Sequence, residues 1–322
     1  MLSERRDIFL AAIALFLFAA SSAFAAPANP KGTVTQATVN VPGKNIQQRT
    51  FLEYIPRGLK PGAPLLFVFH GSGGDGASMR EASAYEFDAI ADAQGFIVLY
   101  PDGFQTTWND CRKGSPQPAR RLNIDDESFV EAMIAKEAAA HNIDRKRVFS
   151  AGWSNGGQLG YRFAMERSNL FAGVAAISAS VPLPANLACT PSGAAMPMMI
   201  INGTEDPINP FDGGDVMLGF TNLGPVYSSQ DSAKYWAKLS GITAAPVMKT
   251  LPHKVAADPT HVESFTWSKG GTPTVVLYSV RGGGHTVPTG IPQVWGGLGL
   301  ATGDLDAPAA IWDFFSKLPS RP

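Results

Sequence analysis

A serine between glycines, followed much later by an acid and then a histidine, is the side-chain set that nucleophilic acyl transfer requires. Gly152-Trp153-Ser154-Asn155-Gly156 supplies a Gly-x-Ser-x-Gly segment. Such a segment is informative only when it closes a strand and opens a helix, because that sharp turn lifts the serine hydroxyl clear of the backbone. The serine needs a base to take its proton. Of His70, His141, His253, His261 and His285, His285 is the expected base. It follows a strand-like run and Gly282-Gly283-Gly284. His70 reads as a loop brace, His141 as the end of a surface helix, and His253 and His261 as parts of a polar loop. The acid must lie between Ser154 and His285, and Asp206 in Asn202-Gly203-Thr204-Glu205-Asp206-Pro207 is the first choice. Glu205, Asp212 and Asp215 are its rivals. Its work would be to accept from imidazole Nδ1–H, fix the tautomer and steady the imidazolium.

Negative charge develops on the substrate oxygen in such a reaction, so backbone donors must face it. Asn155, at the start of the helix after the serine, offers one N–H. His70-Gly71-Ser72-Gly73-Gly74 closes an earlier strand and offers the second. Ser72 is assigned that role, with Gly71 and Gly73 as alternatives. Trp108 is expected either to line the substrate cleft or to pack in the core. The chemistry calls for no metal and no organic cofactor.

Positioning these residues falls to short apolar runs: Arg49 to Ile55, Leu65 to Phe69, Phe96 to Tyr100, Arg147 to Ala151, Gly173 to Ser178, Met198 to Ile201 and Thr274 to Val280. Runs that are apolar on both faces suit buried parallel strands. Helical patterns lie between them. The clearest is Asp125 to His141, with Phe129, Val130, Met133, Ile134 and Ala138 on one stripe and acids at its start. Gly156 to Glu166 and a last helix opening at Asp306 with Pro308 are two more. This alternation predicts a mostly parallel, doubly wound α/β sheet flanked by helices. Residues 26–48 read as a loose lead-in. Pro207 to Gly224 reads as an active-site loop, and Glu263 to Trp267 with Thr274 to Val280 as a hairpin.

The 322 residues carry a formal net charge of −1, which gives no basic excess for nucleic acid. Arg5 and Arg6, the apolar stretch Ile8 to Ala20, and small residues at Ala23 and Ala25 read as a secretory signal cut after Ala25. The rival, a membrane anchor, falls short of the roughly 20 residues a spanning helix needs. The expectation is a signal peptide at 1–25 and one catalytic domain at 26–322, secreted or periplasmic, with no stable membrane insertion after cleavage. Cys111 and Cys189 are the two cysteines. In an oxidising compartment an even pair predicts a disulfide, against the alternative of two unrelated buried thiols.

With these motifs assembled, the chain resembles the secreted polyhydroxybutyrate depolymerases and the feruloyl and acetylxylan esterases of the α/β-hydrolase fold. The resemblance runs from about Arg49 to Pro288. It rests on the His70–Gly74 loop, Trp108-Asn109, Asp125-Asp126-Glu127-Ser128-Phe129-Val130, Gly152 to Gly157, Asn202 to Pro207 and Gly282 to His285. It implies the same Ser154, Asp206 and His285 triad and an ester substrate, small molecule or polymer. One departure stands out: Val287 occupies a position that is often tryptophan in the family. That implies a smaller or more open pocket wall and favours hydroxyacid polyesters over phenolic esters. A peptidase on the same fold and a binding protein without catalysis are the other readings.

Overall fold

The computed structural model describes residues 29–41 and 48–321. The expected signal segment lies outside them. In chain order the elements are β1 (Thr33–Asn40), β2 (Gln48–Ile55), β3 (Leu65–Phe69), α1 (Gly76–Ala82), α2 (Glu86–Gln94), β4 (Ile97–Pro101), α3 (Pro118–Arg121), α4 (Asp126–His141), β5 (Val148–Trp153), α5 (Asn155–Glu166), β6 (Gly173–Ile177), β7 (Met198–Gly203), β8 (Gly214–Leu218), β9 (Thr221–Val226), α6 (Ser229–Leu239), β10 (Val247–Thr250), β11 (His261–Lys269), β12 (Thr272–Arg281), β13 (Gln293–Val294), β14 (Leu300–Ala301) and α7 (Ala307–Ser316).

Ten strands form one sheet in the order β1-β2-β4-β3-β5-β6-β7-β12-β11-β10. From β4 to β12 neighbouring strands are parallel. β2 and β1 extend one edge antiparallel, and β11 and β10 extend the other. This is the α/β-hydrolase architecture expected from the apolar runs. β3 shows why those runs are continuous. Leu65, Phe67 and Phe69 enter a core with Phe129 and Met133 of α4, Leu159 and Phe163 of α5 and Trp236 of α6. Leu66 and Val68 enter the opposite core with Met79, Phe87, Ile311, Trp312 and Phe315 of α1, α2 and α7. Both faces are covered, so alternation of polar residues has no place there.

Local chemistry sets the helix boundaries. The Asp125 carboxylate accepts from Ser128 N–H at the start of α4, and Asn142 closes that helix in the left-handed region. Asp306 caps α7 through Ala309 N–H, with a proline in the first turn.

Three expectations are corrected. The segment read as a lead-in contains β1, whose Thr-rich sequence resembles loop composition but pairs with β2 over its whole length. Pro207 to Gly224 is not wholly loop: it holds β8 and most of β9, a hairpin with a small core of Val216, Leu223 and Val226. His261 opens β11, not a loop, opposite Arg281. The hairpin of β11 and β12 forms as expected. No helix among the described residues is long and apolar enough to cross a membrane.

Candidate active site

The C-terminal ends of β3, β5, β7 and β12 bring the sequence-singled residues to one edge of the sheet, where this class of sheet keeps its ligands. Ser154 stands between β5 and α5 with φ 55° and ψ −116°, a conformation that non-glycine residues seldom adopt. Its N–H donates to Ile177 O at 2.8 Å. Two glycines make the turn possible. A Cβ on Gly152 would lie 2.3 Å from Gly156 O, and one on Gly156 would lie 2.4 Å from Phe69 O. Only backbone bare of side chains packs that tightly.

His285 and Asp206 meet on the next two loops. His285 Nδ1 lies 2.8 Å from Asp206 Oδ2. Both side chains are buried. Asp206 Oδ1 accepts from Ile208 N–H and Asn209 N–H, each at 2.8 Å. One carboxylate oxygen is therefore fixed by backbone and the other is aimed at the imidazole. The two loops are stitched together: Glu205 N–H donates to Gly283 O, Thr204 N–H to Val280 O and Gly282 N–H to Thr204 Oγ1, all at 2.9 Å. His285 N–H is anchored on Leu298 O at 2.7 Å. The rivals of Asp206 make no such contact with His285 among the hydrogen bonds of the described residues.

Asn155 is the first residue of α5, so its N–H has no partner within the helix. Its side chain is buried and fully engaged: Oδ1 accepts from Trp108 N–H at 2.7 Å, and Nδ2 donates to Asp110 Oδ2 at 2.6 Å. In the facing loop Gly73 N–H is committed to Thr106 O and Gly74 N–H to Gly71 O. That leaves the N–H groups of Gly71 and Ser72 as the loop's candidates. The Ser72 hydroxyl accepts from Gln117 Nε2. A Cβ on Gly71 would sit 3.3 Å from Ser154 Cβ, so this loop abuts the serine.

His70 braces that loop. Gly103 N–H donates to its Nε2 at 2.9 Å, which places the ring proton on Nδ1, 2.7 Å from Gly71 O. Burial is the main force holding the imidazole below its ordinary pKa, and the neutral ring is the form these two bonds need.

Of the two readings of Trp108, the structure matches packing in the core. Its side chain is fully buried, donates from Nε1 to His70 O at 2.9 Å and packs against Phe69 and His70. It supports the His70 loop from below and lines no cleft. Val287 is a correction, since its side chain is fully buried in the core. A residue there is no pocket wall in this chain. The aromatic rings beside the base are Trp153, 5.6 Å from the His285 ring, and Trp295, set edge-on to Trp153 at 5.6 Å.

Other residues organise the site, the expected disulfide among them. Cys111 is joined to Cys189, and Ala188 N–H donates to Cys111 O at 2.8 Å. This staple holds the loop whose Asp110 pairs with Arg112 and receives Asn155 Nδ2. Asp126 is buried, paired with Arg49 at 3.0 Å and accepts from Asn109 N–H at 2.8 Å. Burial raises its pKa and Arg49 opposes the shift. The signal for Asp110 was its place between Asn109 and Cys111. Its partner across the fold could not be read from spacing.

Residues 53–222, just over half of the chain, match the phospholipase/carboxylesterase family model. The chain belongs to that family and is a carboxylic ester hydrolase. Among curated relatives, a protein of Nocardia uniformis subsp. tsuyamanensis carrying an esterase name, NocK, is 29% identical over 80% of this chain and 75% of its own length. Feruloyl esterase B of Piromyces equi is 27% identical over 69% of this chain and 39% of its own. Poly(3-hydroxyalkanoate) depolymerase C of Paucimonas lemoignei is 25% identical over 84% and 66%. The chain thus spans less than two thirds of the last two. The solved acetyl xylan esterase from Aspergillus awamori superposes with a TM-score of 0.57 at 17% identity, covering 88% of this chain and 99% of that one, a likeness of fold.

Proposed function

We propose that this esterase works through a covalent acyl-serine, with Ser154 as nucleophile, His285 as general base and acid, and Asp206 as the group that orients it. The observation carrying this reading is the 2.8 Å contact between Asp206 Oδ2 and His285 Nδ1, with the other Asp206 oxygen locked by two N–H groups, beside a serine in strained backbone. Ser154 Oγ attacks the ester carbonyl as its proton passes to His285 Nε2. The carbonyl π electrons move to oxygen, where the N–H groups of Asn155 and Ser72 receive the charge. Collapse of this intermediate breaks the C–O bond, and the alkoxide leaves with the proton from His285. Water then repeats the cycle and frees the acid. No cofactor or metal enters any step.

A serine-directed fluorophosphonate tests the reading. One equivalent should attach to the wild type at Ser154 and none to Ser154→Ala. Absence of labelling would favour a binding protein without catalysis. Matched ester and amide substrates separate an esterase from a peptidase, because an amine leaves less readily than an alkoxide.

For the substrate we infer a short hydroxyacyl ester, such as those of hydroxyacid polyesters, on the name of the Paucimonas lemoignei relative and not on Val287, which lies in the core. The second reading is a phenolic acyl ester, and Trp153 with Trp295 beside His285 favours it. Rates on soluble hydroxybutyrate oligomers and on methyl ferulate, measured side by side, decide between them. The leader at residues 1–25 supports export to a periplasmic or extracellular site. A catalytic domain from 26 to 322 and no role for nucleic acid complete the reading.

A further inference from the structure

Far from the triad, metal-binding side chains from two elements converge. Glu53 lies on β2, and Glu137 and His141 lie one turn apart on α4. One ligand-capable atom from each lies within 4.8 Å of the others. His141 Nε2 stands 3.8 Å from Glu53 Oε1 and 3.7 Å from Glu137 Oε2. Those separations are too long for hydrogen bonds. They approach the edge, about 3.4 Å, of a tetrahedron whose ligands sit about 2.0–2.1 Å from its centre.

The two carboxylates are held for such a task. Glu137 is fully buried, and its Oε2 has no hydrogen-bond partner. A buried carboxylate oxygen without a donor is costly, and a metal ion at that point would relieve the cost. The remaining oxygens are already fixed. Lys136 Nζ donates to Glu137 Oε1 at 3.0 Å, and Thr35 Oγ1 donates to Glu53 Oε2 at 3.1 Å. Outer donors that orient ligand carboxylates are a regular part of metal sites.

We propose that Glu53 Oε1, Glu137 Oε2 and His141 Nε2 bind a zinc ion that ties β2 to the last turn of α4. An imidazole with two carboxylates suits zinc, whereas calcium and magnesium favour all-oxygen shells. Lys136 Nζ also lies 2.9 Å from Glu53 Oε1. Its side chain is partly exposed, so it gives up that bond and keeps Glu137 Oε1 when the dication arrives. His141 is partly exposed as well, which supplies a path for the ion and leaves the fourth position to water. The role is structural. Asn142, next in the chain, accepts from Gly62 N–H at 2.7 Å, at the end of the sheet opposite the triad.

The test titrates metal-free protein with zinc chloride by calorimetry at pH 7.5 and follows thermal unfolding alongside. One ion per chain should bind saturably and raise the Tm. His141→Ala and Glu137→Gln should each weaken zinc more than about tenfold and lose the Tm rise. Because the His141 side chain is partly exposed, its variant should fold and hydrolyse p-nitrophenyl butyrate at the wild-type rate. No saturable uptake by the wild type overturns the proposal, as does unchanged affinity in both variants.

Discussion

At the scale of single residues, two side chains carry opposite kinds of evidence. Ser154 is marked by its backbone, and the expected consequence is kinetic. Ser154→Ala should lower kcat on p-nitrophenyl butyrate by roughly 10³-fold or more, and Ser154→Ala/His285→Ala should be little worse, because groups acting as a unit lose together. Independent, multiplicative losses would argue against the triad. His70 is marked by its environment. The folded chain keeps it neutral, whereas the unfolded chain takes a proton near pH 6.5. The unfolded state then binds more protons, so this contribution is fully present above about pH 6.5 and is lost as pH falls toward the folded pKa. The stability gap between wild type and His70→Asn, read from urea midpoints, should therefore narrow from pH 7.5 to pH 5. A gap that stays constant would mean that the neutral ring is not what holds Gly71 and Gly103.

At the scale of elements, the disulfide and the aromatic pair can be separated experimentally. Cys111 and Cys189 are 78 positions apart, and chain-entropy arithmetic gives about 4.5 kcal/mol as a ceiling for the stabilisation. Cys111→Ser/Cys189→Ser should lose part of that in denaturant unfolding. It should also lower kcat, because Asp110 and through it Asn155 lose their frame. A variant equal to wild type in kcat would show that the staple does not reach the Asn155 loop. Trp295→Ala should lower the rate on methyl ferulate more than that on p-nitrophenyl butyrate, and equal losses would detach the Trp153–Trp295 pair from acyl recognition. Elements also show what the sequence could reveal. The strands β3 to β7 and β12 were legible because burial on both faces forces continuous apolar runs, and Ser154 because its turn demands small neighbours at fixed offsets. β1 was not legible, since an edge strand is half solvated and its Thr-rich sequence matches loop composition. Trp108 stayed open between cleft and core, and Val287 was misread, for one reason: an aromatic or aliphatic side chain beside a site has the same sequence signature whether it faces the cleft or the core. Asp110 needed a contact 45 positions away, and no local pattern encodes that.

At the scale of the whole molecule, α7 closes the second core by stacking Trp312 on Phe96 at 3.6 Å and Phe315 on Phe149 at 4.7 Å. Phe315→Ala should cost about 3–5 kcal/mol in unfolding experiments with little change in kcat, since the cavity lies in the core on that face of the sheet. A matching collapse of kcat at temperatures where the variant is folded would tie that core to the site. The strand order has another consequence, one of timing. β7 carries Asp206 at its end and lies between β6 and β12, yet β12 begins nearly seventy positions after β7 ends. A chain being refolded can form β3 to β7 with their intervening helices from near neighbours. It must then close a long loop before His285 arrives beside Asp206, and such distant closures slow folding. In stopped-flow refolding, far-ultraviolet ellipticity should recover ahead of hydrolytic activity, and the lag between the two signals would measure how long the sheet waits for its last parallel strand.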